Sequence, residues 1–269
     1  MSLQADVRVG RVEHSTGFEV FARAGFAARG TIYAIIGVLA VKLALGTGGK
    51  TTDQAGALKT IAHQPFGKGL LVLAAIGLGS YSLWRLSHAL LGHGPEKSDS
   101  GVDRVAAFGS GVVYAIMCVL AVEILLGSAG NSGKAPKATA GVLGWPAGTW
   151  IVGLAGAGFV GVGLYQAYRA LTQDFLKDSK TEQMGETMKR TFKTLAVFGH
   201  IARGVVFALV GVFLVKAALD YNASKAVGLD GALAKLANHS YGPLLLGVVA
   251  AGLVAFSLYS FADVRYRRI

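Results

Sequence analysis

Lys42, Glu123 and Lys216 stand at matching places in three long apolar runs, each close to the end of its run. Ionisable side chains inside a membrane-length apolar segment are costly and mark sites of pairing, binding or permeation. Turned inward, the three would make a Lys–Glu–Lys cluster with one excess positive charge. Such a cluster would attract an anion or lock neighbouring helices together. Turned outward, long lysine side chains reach the headgroups with their stems still in apolar surroundings. Glu123, with its shorter side chain, fits that second reading less well.

Two further sets lie toward the opposite ends of the runs. Arg29 and Arg203 each have an aromatic residue four positions on, Tyr33 and Phe207, so that each pair shares a helix face. They read as interfacial anchors on lipid phosphate, as a binding site for an anion, or as partners of another helix. The other set is a stripe of helical spacing, Gly77, Tyr81, Trp84 and His88. It recurs as Gly158, Val162, Tyr165 and Arg169, and again as Gly252, Phe256, Tyr259 and Asp263. Its aromatic residues suit a belt facing lipid and water. The alternative is that His88, Arg169 and Asp263 converge as a hydrogen-bonded triad.

Other chemistry finds little support. His88 and His200 fall toward the same side, where two imidazoles would be needed to hold a haem between helices, but nothing else points to one. No HxxxH, CxxC or ExxH spacing occurs, so neither a metal site nor any other cofactor is expected. Hydrolase and nucleotide-loop signatures are missing, and no catalytic residue is assigned. The single cysteine, Cys118, replaces Gly37 and Gly211 of the related segments and reads as a small packing residue.

These sets are positioned by a repeat. Gly25–Lys42, GFAARGTIYAIIGVLAVK, matches Gly199–Lys216 at 9 of 18 positions and Ala106–Glu123 at 8 of 18, without a gap. Chance would give roughly two, for so biased a composition. The chain is 53% hydrophobic and 15% charged. Six segments, near 24–45, 69–91, 105–127, 147–171, 194–219 and 243–264, have the roughly 20 apolar residues that a bilayer crossing needs. The expected fold is all-α: six transmembrane helices as three tandem parallel two-helix repeats, with pseudo-threefold symmetry along the membrane normal. The many glycines within the runs let helix backbones approach closely where lipid supplies no hydrophobic drive.

The net charge of +11 is not a nucleic-acid footprint. All twelve arginines fall on one set of alternate loops and the adjoining helix ends, which places both termini in the cytoplasm of a bacterial inner membrane. The arginine-rich side also suits anionic lipid. Residues 1–17 read as a mobile tail, and a full-length span rather than a cleavage site follows it, unlike a signal peptide. Repeat 1 is then 18–92 and repeat 2 is 101–172. An amphipathic cytoplasmic linker covers 173–193, its 177–193 stretch reading as a polar extension of the fifth span, as a helix on the membrane surface or as a partner-docking site, and repeat 3 is 194–265. Capping-box spacing is found at Thr16–Glu19, Ser100–Asp103 and Ser179–Glu182. On the outer side Gly56-Ala-Leu58 matches Gly231-Ala-Leu233, predicting a short helix in repeats 1 and 3. The middle repeat carries the proline- and glycine-interrupted KAPKATAGVLGWPAG there.

Ala28-Arg29-Gly30-x-x-Tyr33 and its copy Ala202-Arg203-Gly204-x-x-Phe207, within three two-helix repeats, resemble the bacterial membrane family catalogued as domain of unknown function 1206. The resemblance covers residues 20–265; the middle copy departs from it, with Ser110 in place of the arginine. It implies a six-span inner-membrane protein and brings no activity, substrate or catalytic residue. Three functions stay open. The first is a structural or accessory membrane component packed against lipids, a protein partner or further copies of itself. The second is a channel or transporter along the pseudo-threefold axis, and the third an intramembrane redox protein or enzyme.

Overall fold

The computed structural model describes residues 16–91, 101–127 and 134–268. These form nine α-helices: α1 Thr16–Ala44, α2 Gln54–Ala62, α3 Gly67–Leu91, α4 Gly101–Leu125, α5 Lys134–Leu143, α6 Gly148–Thr172, α7 Glu186–Leu219, α8 Leu229–Ala237 and α9 Gly242–Tyr266. Six of them, α1, α3, α4, α6, α7 and α9, are long and apolar enough to cross a membrane. A helix satisfies its backbone polar groups within itself, the requirement for a segment surrounded by hydrocarbon. The chain is a multi-pass membrane protein.

Each repeat is span, short helix, span. The turn from short helix to second span needs glycine at Gly67, Gly148 and Gly242. A side chain at any of the three would run into a carbonyl of the preceding helix, Ile61, Val142 or Ala237 respectively. The middle repeat keeps this turn, and its interrupted outer segment folds as the ten-residue helix α5. The matching Ala57-Leu58 and Ala232-Leu233 pairs point inward and are buried. Phe66, Trp145, Trp150 and Tyr241 are exposed at this end of the molecule, as aromatic residues are at a membrane interface.

The spans pack in the order α4–α3–α1–α9–α7–α6. Three seams join the second span of one repeat to the first span of another: α3 with α4, α6 with α7, α9 with α1. Their chemistry recurs. Ser82 donates its hydroxyl to the Gly111 carbonyl at 2.8 Å, and Ser257 to the Gly30 carbonyl at 2.7 Å. At the third seam glycine replaces that serine, and Gly163 and Gly204 stack backbone on backbone. Two turns further along the first spans, Gly37 meets Val254 and Gly211 meets Val160. Their counterpart Cys118 packs on Gly79 and donates its thiol to the Ala75 carbonyl at 3.3 Å.

Contacts inside a repeat are less uniform. Gly77 of α3 lies 2.8 Å from the Ala24 carbonyl of α1, measured from an added Cβ, and Gly252 of α9 abuts Ala202 of α7 in the same way. Among the described residues α4 and α6, the two spans of the middle repeat, form no such interface. The six spans are therefore an arc with α4 and α6 as its edges. Burial follows this order: 56% of the apolar window is buried in α1 and in α9, but 17% in α4 and 22% in α6.

Of the readings open for the 173–193 linker, the polar extension of the fifth span is the one present. Residues 174–176 and 181–183 are single 3-10 turns, and α7 begins at Glu186 as a polar extension of the fifth span. The capping box expected at Ser179–Glu182 does not form. Ser179 is buried and donates to the Phe175 carbonyl, while Glu182 receives a bidentate contact from Arg268 at 2.8 and 2.9 Å. The side chains of the boxes at Thr16–Glu19 and Ser100–Asp103 lie outside what the structure describes, as do residues 1–15 of the tail.

Candidate functional site

Polar groups gather at the arginine-rich end of the arc, where α1 crosses α9. Arg29 Nη2 donates to Asp263 Oδ2 at 2.8 Å, with both side chains buried. Its Nε donates to Ser260 Oγ at 3.1 Å, and Nη1 reaches the Tyr81 hydroxyl at 3.5 Å. The guanidinium also lies over Phe26 and Phe256, 4.9 and 5.2 Å from their ring centroids. Of the three roles open to Arg29, inter-helix pairing is the one realised. A salt bridge with its remaining donors satisfied is the form in which a buried cation is tolerated. The charges cancel, leaving a neutral brace between the first and last spans.

Arg203 holds the same position in repeat 3, with different company. Its guanidinium lies 4.2 Å from the Phe256 centroid, 5.0 Å from Tyr33 and 5.1 Å from Phe207. No carboxylate lies within ion-pair distance among the described residues, and its buried Nε has no hydrogen-bond partner. Tyr33 therefore stacks with the arginine of repeat 3 rather than with Arg29 of its own helix turn.

The aromatic stripe faces inward where the repeat is closed. Tyr81, Trp84, Phe256 and Tyr259 are buried, whereas Val162 of the middle repeat is exposed. Tyr81 contacts Tyr114 at 4.5 Å between centroids, and Tyr33 contacts Phe256 at 4.9 Å. Phe159 meets Phe207 at the third seam, at 6.1 Å. An interfacial belt was the expectation for the stripe. Burial wins in repeats 1 and 3 because the glycine at its head lets the partner helix close over it.

Asp263 and Arg169 do not meet in a triad. Asp263 pairs with Arg29, and Arg169 pairs with Asp178 at 2.5 Å. The side chain of His88 lies outside the described part of the structure. Asp178 also holds Arg267, at 3.3 Å. With the Ser179–Arg267 bridge and the Lys180 amide donating to the Tyr266 carbonyl at 2.6 Å, this latches the 173–185 loop to the C-terminus. Asp174 at its start is held below the usual carboxylate range by hydrogen bonds from Lys177 and Thr172. Neither Asp178 nor the latch was read from the sequence. A carboxylate in a loop between arginine-bearing helix ends was the available signal.

His200 is a core residue. Its Nδ1 lies 2.8 Å from the Ala196 carbonyl, and its ring stacks on Phe175 with Phe256 and Tyr259 edge-on. At the opposite end Lys42 and Lys216 are exposed and Glu123 is half-buried. No ion pair joins Glu123 to either lysine among the described residues. Lys216 lines an open cleft of roughly 500 Å³ with Phe213, Leu219, Asp220, Lys225 and Lys235.

The family described as "Domain of Unknown Function (DUF1206)" matches the chain three times, at residues 24–92, 105–173 and 198–267. The chain is 33% identical over 253 residues to "Uncharacterized protein YxxB" of Bacillus subtilis (strain 168), covering 93% of this chain and 91% of that protein. No solved structure matches.

Proposed function

The chain belongs to the DUF1206 family, and on that premise we propose that it is a structural or accessory component of a bacterial inner membrane, with both termini in the cytoplasm. The observation that carries this reading is the inner wall of the arc. There Tyr33 packs on Phe256 and Tyr81 on Tyr114, two ring pairs drawn from four spans, with Arg29 over Tyr81 and Phe256 and Arg203 over Phe256. A wall of packed aromatic rings offers a polar solute little to replace its hydration. The buried Arg29–Asp263 pair carries no net charge, as suits a brace. The one-sided arginines support the cytoplasmic placement of the termini.

The test is reconstitution of the full chain into liposomes, with potassium, chloride and proton flux measured against empty vesicles. No flux above the empty vesicles is expected. A saturable flux that depends on the protein would replace this reading with transport. Impermeant thiol labelling of single cysteines in the 173–185 loop and the outer turns tests the orientation separately.

A further inference from the structure

The interface between the two spans of a repeat is present twice and missing once. Gly77 packs on Ala24 and Ala28, and Gly252 packs on Phe198 and Ala202, which are the same positions in repeats 1 and 3. In the middle repeat Gly158 stands where Gly77 and Gly252 stand, yet nothing lies within 4 Å of the place its Cβ would take. Gly109, the counterpart of Ala28 and Ala202, is equally bare. The inner wall of the arc is therefore open sideways, between α4 and α6.

The second observation is the charge behind that opening. Where the α9 seam offers Arg29 a hydroxyl and a carboxylate, Ser260 and Asp263, the α6 seam offers Arg203 the equivalent positions Gln166 and Arg169. Arg169 is drawn away to Asp178. Arg203 is left with no carboxylate partner among the described residues, its buried Nε without a hydrogen bond and three aromatic rings around it. A guanidinium without an anion is costly at this depth. Its planar fork of donors matches an oxyanion in bidentate fashion.

We infer that Arg203 binds the headgroup phosphate of an anionic phospholipid that enters from the bilayer between α4 and α6. The acyl chains then lie along the bare apolar faces of α4 and α6, where Val112, Ile116, Leu154 and Val162 are exposed. The proposal deepens the accessory reading by naming its lipid partner. It would fail independently of it, because the flux assay does not depend on lipid retention.

Native mass spectrometry of the purified full chain, titrated with phosphatidylglycerol or phosphatidylcholine, tests this directly. One phosphatidylglycerol should be retained in preference to phosphatidylcholine. Arg203→Gln should weaken that retention about tenfold or more, the scale of one charge-assisted contact, with Arg203→Lys in between. Gly158→Trp fills the opening, leaves the charge in place and has room to fold; it should weaken retention as well. This variant decides the matter if Arg203→Gln does not fold. Retention unchanged in Gly158→Trp, or in a folded Arg203→Gln, would overturn the proposal. Displacement of the lipid by millimolar inorganic phosphate would assign Arg203 to a soluble anion instead. A dimer held through α4 and α6 with no lipid bound would show that a second copy fills the opening.

Discussion

Arg29 and Asp263, 234 residues apart in the chain, meet at 2.8 Å and close the first span onto the last. Breaking a buried pair strands the remaining charge, at a cost of about 3–5 kcal/mol. Arg29→Gln and Asp263→Asn should each destabilise the detergent-solubilised protein by about that much in denaturant titrations. The double variant should cost clearly less than the sum, because no lone charge remains. Additive losses would mean that the two residues act separately.

The glycines of the stripe divide by what lies over them. Gly77→Leu and Gly252→Leu push a side chain into the partner helix and should each cost about 1–3 kcal/mol, as overpacking does. Gly158→Leu meets open space and should leave the melting temperature unchanged or slightly raised, since leucine is the better helix former. A loss at Gly158 as large as at Gly77 would show that α4 and α6 pack together in the membrane.

Within the loop latch, burial ranks the two carboxylates. Asp178 is buried and shared by Arg169 and Arg267, whereas the Glu182–Arg268 pair is exposed. Asp178→Asn should therefore destabilise by about 2 kcal/mol or more. Glu182→Gln should stay within about 1 kcal/mol, as exposed pairs do. Limited proteolysis in the 173–185 loop should accelerate for the first variant and not for the second.

At the opposite end, Lys216 lies on an open cleft lined by two further lysines and Asp220, and Glu123 is half-buried. On a Cys118→Ala background, Lys216→Cys should react readily with an impermeant thiol reagent and Glu123→Cys more slowly. Equal rates at both positions would place Glu123 in the same water-filled space.

Six spans and three repeats are legible in the sequence because each is a local requirement. A helix in lipid must satisfy its own backbone, so its length and apolarity are written residue by residue. Matching ionisable positions are legible too, and Arg29, Arg203, Arg169 and Asp263 all emerge from the repeat alignment.

Partnership is not legible in this way. Gly77, Gly158 and Gly252 read alike in sequence, and only the packed molecule shows two of them covered and the third bare. Arg29 and Arg203 share a motif, yet one pairs with Asp263 and the other lies among the rings of Tyr33, Phe207 and Phe256. The seams join second spans to first spans of different repeats, so each arginine's environment is set by a helix far away in the chain. Lipid is as apolar as the helix faces and does not dictate which of them meet. Close fit and charge pairing decide that, and they belong to the tertiary structure alone.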